Sequence, residues 1–109
     1  MKTLTLKLGG KTYTTSRITA YLSREAMAVN KDMLGIAKTA KALDQDDIDG
    51  AEKLMEDMES AAIRKANLIC EVYGNKFTVD ELERNLTNAE IDEQVNRIIQ
   101  GISGVVEKN

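Results

Sequence analysis

FTVDELERNLTNAEIDEQVNRIIQGISGVV, residues Phe77–Val106, carries two helix starts in close succession. Thr78 precedes Glu81 by three residues, the spacing at which each side chain accepts the other residue's backbone N–H in a capping box. A short helix over Val79–Leu86 follows. Thr87 and Asn88 then offer a second N-cap just before Ile91, Val95, Ile98, Ile102 and Val105, which recur at helical spacing. Ile98, Ile99, Ile102, Val105 and Val106 together span more than one narrow packing stripe. One face of this longer helix is expected to pack inside the fold and another to meet a partner.

Two longer helices are predicted before it. After a cap at Ser16, Ile18, Leu22, Ala26, Val29, Met33, Ile36, Ala37 and Ala40 repeat at three- and four-residue steps, ending near Ala42. DQDDIDG, residues 44–50, is acidic and suits the positive end of a following helix dipole. From about Asp47 to Tyr73, Ile48, Ala51, Met55, Met58, Ala62, Ala66, Ile69 and Tyr73 form a second stripe. Two such helices joined by a short polar connection fold most simply as an antiparallel hairpin. Gly74-Asn75 suits a C-cap or turn, and Phe77 is placed to staple the next helix start.

The chain opens with period two. Leu4, Leu6 and Leu8 share one face, and Gly9-Gly10 then supplies a two-residue turn that pairs Leu8 with Lys11, Leu6 with Tyr13 and Leu4 with Thr15. An isolated hairpin is marginal in water, so its apolar face must pack on helices or join strands of another copy. The expected fold class is mainly α with a small N-terminal β-hairpin, an α+β domain spanning residues 1–109: a hairpin over 1–15, a long antiparallel helical hairpin over 16–73, and a short and a longer helix over 77–107.

Composition narrows the function classes. Fifteen Lys and Arg against eighteen Asp and Glu leave a net charge of −3, which disfavours attraction to nucleic acid or an anionic membrane. The chain has no His, Trp or Pro and a single cysteine, so no intramolecular disulfide forms and no zinc constellation is expected. No signal-peptide pattern and no apolar run of transmembrane length is present, and a reducing cytoplasm fits this usage.

Each candidate for chemistry has a structural reading. Asp44, Asp46, Asp47 and Asp49 are dense in oxygen ligands, but a calcium loop starting at Asp44 would need Gly and Glu where Asp49 and Met55 stand; helix capping is the better account. Cys70 lies beside Ile69 in an apolar stripe with no histidine to deprotonate it. Glu81 and Glu90 occupy positions where helix starts want acids. No nucleophile or acid–base pair can be assembled, so neither an enzyme nor a cofactor is expected. Arg17, Arg24, Lys31, Lys38 and Lys41 make a basic side on the first long helix, which is solvated or meets an acidic neighbour. Met27, Met33, Met55 and Met58 suit either a core or a flexible apolar groove. Gly101 and Gly104 permit close backbone approach or mark fraying.

The order of elements resembles the tail assembly chaperones of long-tailed phages infecting Gram-positive bacteria. LTLKLGGKTYTT (Leu4–Thr15), the long helical middle and the block of aromatic-Thr-Val-Asp-Glu-Leu followed by an Ile-rich helix carry the resemblance over most of the chain. It implies a chaperone of the host cytoplasm that binds the tape-measure protein, keeps it soluble and assists tail-tube polymerisation without remaining in the virion. It also implies self-association, and contact with the major tail protein through a longer frameshifted product. Glu107-Lys108-Asn109 can be encoded as GAA AAA AAC, which contains a slippery A AAA AAC heptamer; a charged, solvated terminus is the other reading. The residues expected to bind client or a second copy are Ile91, Val95, Ile98, Ile99, Ile102, Val105, Val106, Met55 and Met58. On that basis, Asp at positions 98 and 102 would abolish client solubilisation or self-assembly and spare the N-terminal fold. A small helical adaptor or secretion-type dimer is the alternative, weakened by the missing Trp-x-Gly turn. A helix-turn-helix regulator would aim Glu90, Asp92 and Glu93 at phosphates.

Overall fold

Gly9 and Gly10 both take positive φ, 54° and 84°, the left-handed pair that a type I′ turn requires and that glycine adopts without a Cβ clash. In this computed structural model, which describes residues 3–103, the turn joins β1 (Leu4–Leu8) to β2 (Lys11–Thr15) in the predicted register, with Leu4, Leu6 and Leu8 opposite Thr15, Tyr13 and Lys11. Leu6 and Leu8 are buried, and Leu4 and Tyr13 pack against the same core. The hairpin thus spends its apolar face on the helices of its own chain.

The first helix, α1 (Ala20–Ala42), starts later than the cap at Ser16 predicts. Thr19 is the N-cap, its hydroxyl accepting from the Leu22 N–H at 3.2 Å. Residues 16–18 bridge from β2 to the helix, and Ile18 reaches the core from that connection. At the other end Asp47 caps α2 (Ile48–Val72), accepting from the Gly50 N–H at 2.8 Å. The acidic stretch therefore serves a helix start, as expected of carboxylates at the positive end of a helix dipole. The two helices run antiparallel: Arg64 of α2 pairs with Asp32 of α1, and at the tip Leu43 lies against Gly50.

α2 ends in a Schellman motif, with the Asn75 N–H on the Cys70 carbonyl and the Gly74 N–H on the Glu71 carbonyl, and with both Gly74 and Asn75 at positive φ. Phe77 then enters the core, edge-on to Tyr13 with ring centroids 4.9 Å apart. Thr78 and Glu81 form the predicted capping box of α3 (Val79–Asn85). Thr87 and Glu90 repeat it for α4 (Asn88–Ser103), the Thr87 N–H donating to the Glu90 carboxylate at 2.8 Å and the Glu90 N–H to the Thr87 hydroxyl at 3.1 Å.

α4 packs on α1, α2 and β1. The core gathers at this proximal end, from Leu22, Ala26 and Val29 of α1 through Ile69 and Tyr73 of α2 to Leu82 of α3 and Val95 of α4. No residue between 30 and 60 is buried. The distal half of the helical hairpin projects beyond the core, giving extents of 45 × 32 × 23 Å. The radius of gyration of 15.2 Å exceeds the roughly 13 Å of a compact chain near this length.

Candidate functional site

The α2 stripe from Ile48 to Tyr73 has one helical phase and two environments. Its proximal members Ala66, Ile69 and Tyr73 are buried beneath the rest of the fold. Its distal members are not: Ile48 is 79 % exposed, Met55 66 % and Met58 52 %. On α1 the same change occurs, from buried Leu22, Ala26 and Val29 to half-buried Met33 and Ile36, with Leu34 exposed. The apolar pattern continues for several turns past the point where any described residue covers it.

Between the two distal halves lies an open groove of about 320 Å³. Met33, Ile36 and Ala37 of α1 and Met58, Ala61 and Ala62 of α2 line it, and Asn88 and Asp92 at the start of α4 bound one end with Lys65. The groove lies in line with the space that α4 occupies. Lys65 donates to Asp92 at 2.6 Å, tying α4 to α2 at that boundary. Arg64, bonded to Asp32, ties α1 to α2 as well. The depression on the other side of the hairpin is lined more by polar groups, among them Lys31, Asp32, Thr39, Asp57 and Ser60. Apolar walls of alanine and methionine suit a helix laid lengthwise: alanine lets its backbone approach, and methionine repacks around differing side chains.

The residues named from the sequence for client binding or self-association separate into three groups. Ile91, Val95 and Ile98 lie in the core of their own chain at 7 %, 0 % and 0 % exposure, and Ile99 and Ile102 pack half-buried against it. Among the described residues, the Ile and Val side chains of α4 therefore pack on the core of their own chain. Because Ile98 is buried in the shared core and Ile102 packs against it, Asp at positions 98 and 102 is expected to lower the stability of the fold as well as any binding. Met55 and Met58 face solvent. Val105, Val106 and Glu107-Lys108-Asn109 lie outside the described residues.

Sequence reasoning passed over Leu34, Ile63 and Tyr21 as surface residues, although each is more than half exposed. It also passed over Gln94, which is buried, accepting from the Tyr73 hydroxyl at 3.1 Å and donating to the Thr5 carbonyl at 3.2 Å. Its position one turn from both Ile91 and Ile98 was the available signal. That thread joins α2, α4 and β1, and burial pushes the Tyr73 hydroxyl pKa up to about 12.

Other candidates for chemistry resolve into structure. Cys70 is buried, and burial, reinforced by Glu71, Glu81 and Glu83, raises its thiol pKa, which opposes thiolate reactivity. Glu81 and Glu90 are engaged in their capping boxes. Among the described residues, no group of three or more His, Cys, Asp or Glu side chains is placed to hold a metal ion, and no helix is long and apolar enough to cross a membrane.

Charge divides along the hairpin. Lys31, Lys38 and Lys41 of α1 are exposed, as are Asp49, Glu52, Glu56 and Glu59 of α2. None of these seven makes an ion pair within the described chain. The cations of this set thus lie on α1 and the anions on α2.

A family model described as phage tail chaperone protein matches this chain over residues 1–109. No curated protein and no solved structure matches it.

Proposed function

Because the chain belongs to that phage tail chaperone family, we propose that it binds the tape-measure protein in the host cytoplasm, keeps it soluble while tail-tube subunits polymerise, and leaves before the virion is complete. It acts by binding, without catalysis. Contact with the major tail protein runs through a frameshifted longer product, and the chaperone itself self-associates. The observation that carries this reading is the apolar distal half of the helical hairpin, where Met58 lines an alanine- and methionine-walled groove and Met55 and Ile48 lie exposed farther along the same helix.

The physical logic is that of a helix-in-groove binder. A long helical client exposes recurring apolar faces, and each would aggregate if left in water. The groove accepts one such face without demanding a fixed sequence, because methionine adapts its rotamers at small cost. Affinity per copy is modest, and several copies along one client multiply it. Ile99 and Ile102, half-buried at the end of α4 away from the groove, are a second, separate apolar contact for client or a second copy.

The test is co-expression with the long helical protein encoded downstream. Met55→Asp combined with Met58→Asp is expected to shift the client into the insoluble fraction while the chaperone keeps its circular dichroism. Undiminished client recovery with that variant would overturn the assignment of the face. The gene tests the longer product: a slippery run at codons 107–109 and an overlapping −1 frame are expected.

A further inference from the structure

We infer that the outward face of α1 docks an acidic amphipathic helix, a partner whose carboxylates and apolar side chains each recur at every seventh residue. This surface is separate from the groove assigned to the client, and the inference does not rest on that assignment.

Two parallel rows build the face. Arg24, Lys31 and Lys38 stand seven residues apart in one, and Met27, Leu34 and Lys41 stand seven apart in the other. Residues at this spacing return to nearly the same side of a helix, and rows offset by three or four positions are neighbours on its surface. All six side chains are exposed, Met27 and Leu34 at 63 % each. Buried Leu22, Ala26 and Val29, with groove-lining Met33, repeat on the opposite side of α1. The two rows therefore point away from both the core and the groove.

Nothing within the described chain answers their charge. The acids of α1, Glu25 and Asp32, both pair with Arg64 of α2. Arg24, Lys31, Lys38 and Lys41 have no ion-pair partner among the described residues. In a chain of net charge −3, this face is a local reversal of sign.

The mixture of cation and apolar side chain selects the class of partner. A phosphate backbone would neutralise the cations but set Met27 and Leu34 against charge, and no aromatic residue stands in either row to stack on a base. A helix that lies in a membrane surface needs a broad apolar face, which two side chains do not make. A helix laid along α1 answers both rows at once. Leu or Ile at every seventh position packs on Met27 and Leu34, while Glu or Asp in the neighbouring row meets Arg24, Lys31 and Lys38, as flanking charges meet beside the apolar seam of a coiled coil. Opposite charges then fix its register and direction.

The experiment is a fluorescence anisotropy titration of the purified full chain into a labelled synthetic helix of roughly 20 residues, long enough at about 1.5 Å per residue to cover both rows. The peptide carries Leu in one row and Glu in the neighbouring one, each at every seventh position. Binding with a Kd on the order of 10–100 µM is expected, weakening as salt is raised. Lys31→Glu with Lys38→Glu, and separately Leu34→Asp, should each weaken it about tenfold or more with unchanged circular dichroism. Met55→Asp with Met58→Asp should leave it unchanged. Absence of binding, or binding indifferent to the α1 changes, would overturn the proposal. So would loss of binding in the α2 variant, which would put the peptide in the groove. Equal binding of the same helix with Gln for Leu, of duplex DNA or of anionic vesicles would overturn it in favour of a polyanion or membrane site. Self-association of the chain alone that Lys31→Glu with Lys38→Glu abolishes would give the face to a second copy and overturn it likewise. Client solubilisation is read by the co-expression assay, so the groove stands or falls apart from these results.

Discussion

Tyr73 shows how a single residue links burial to pH. Its hydroxyl donates to Gln94, and its pKa is raised from 10.0 to about 12 chiefly by burial. The neutral form is therefore favoured in the folded state. The resulting stabilisation is fully present below the unfolded pKa and is lost as pH climbs through the folded one. Unfolding free energy should fall between about pH 10 and pH 12, by on the order of 2–3 kcal/mol from this group. Urea titrations across that window are expected to show the fall in wild type and to lack this component in Tyr73→Phe, which at neutral pH should itself cost about 1–3 kcal/mol by leaving the Gln94 oxygen unsatisfied. Ile98 makes the contrasting case, an apolar side chain at 0 % exposure. Ile98→Ala should cost about 2–5 kcal/mol in the same titration.

Among the elements, the two capping boxes are the most local features of the chain. Thr78→Ala removes the acceptor for the Glu81 N–H and should cost about 1 kcal/mol, and Thr87→Ala should act similarly on α4, both read as a shift in denaturation midpoint. These starts, the Gly-Gly turn with its register, and the Gly74-Asn75 terminus were all legible in the residues, because each is decided within about six positions by hydrogen-bond geometry and backbone conformation. The start of α1 was not. Ser16 and Thr19 are both competent caps, and the distance from the end of β2 to the core, a tertiary quantity, selects the later one.

For the whole molecule, the consequence of the fold lies in the region between residues 30 and 60, where apolar side chains continue without burial. Substitutions there should separate stability from function. Met55→Asp with Met58→Asp is expected to change unfolding free energy by no more than about 0.5 kcal/mol per site, as for ordinary exposed positions, while client recovery and self-association fall. Ile91→Ala or Val95→Ala should do the reverse at first, lowering stability before any loss of binding is seen in the surviving folded fraction.

The sequence alone determined the order and kinds of elements, the hairpin register and the capping chemistry, because these depend on neighbours along the chain. It also placed every apolar stripe on its helix. What it did not decide was which stripe stays open. Periodicity reports that one face of a helix is apolar, and burial depends on what else reaches that face. α4 spends Ile91, Val95 and Ile98 on its own core, and the hairpin extends farther than α4 can cover. Only the packing of the folded chain decided that, of the residues named together from the sequence, Ile91, Val95 and Ile98 are buried while Met55 and Met58 stay exposed.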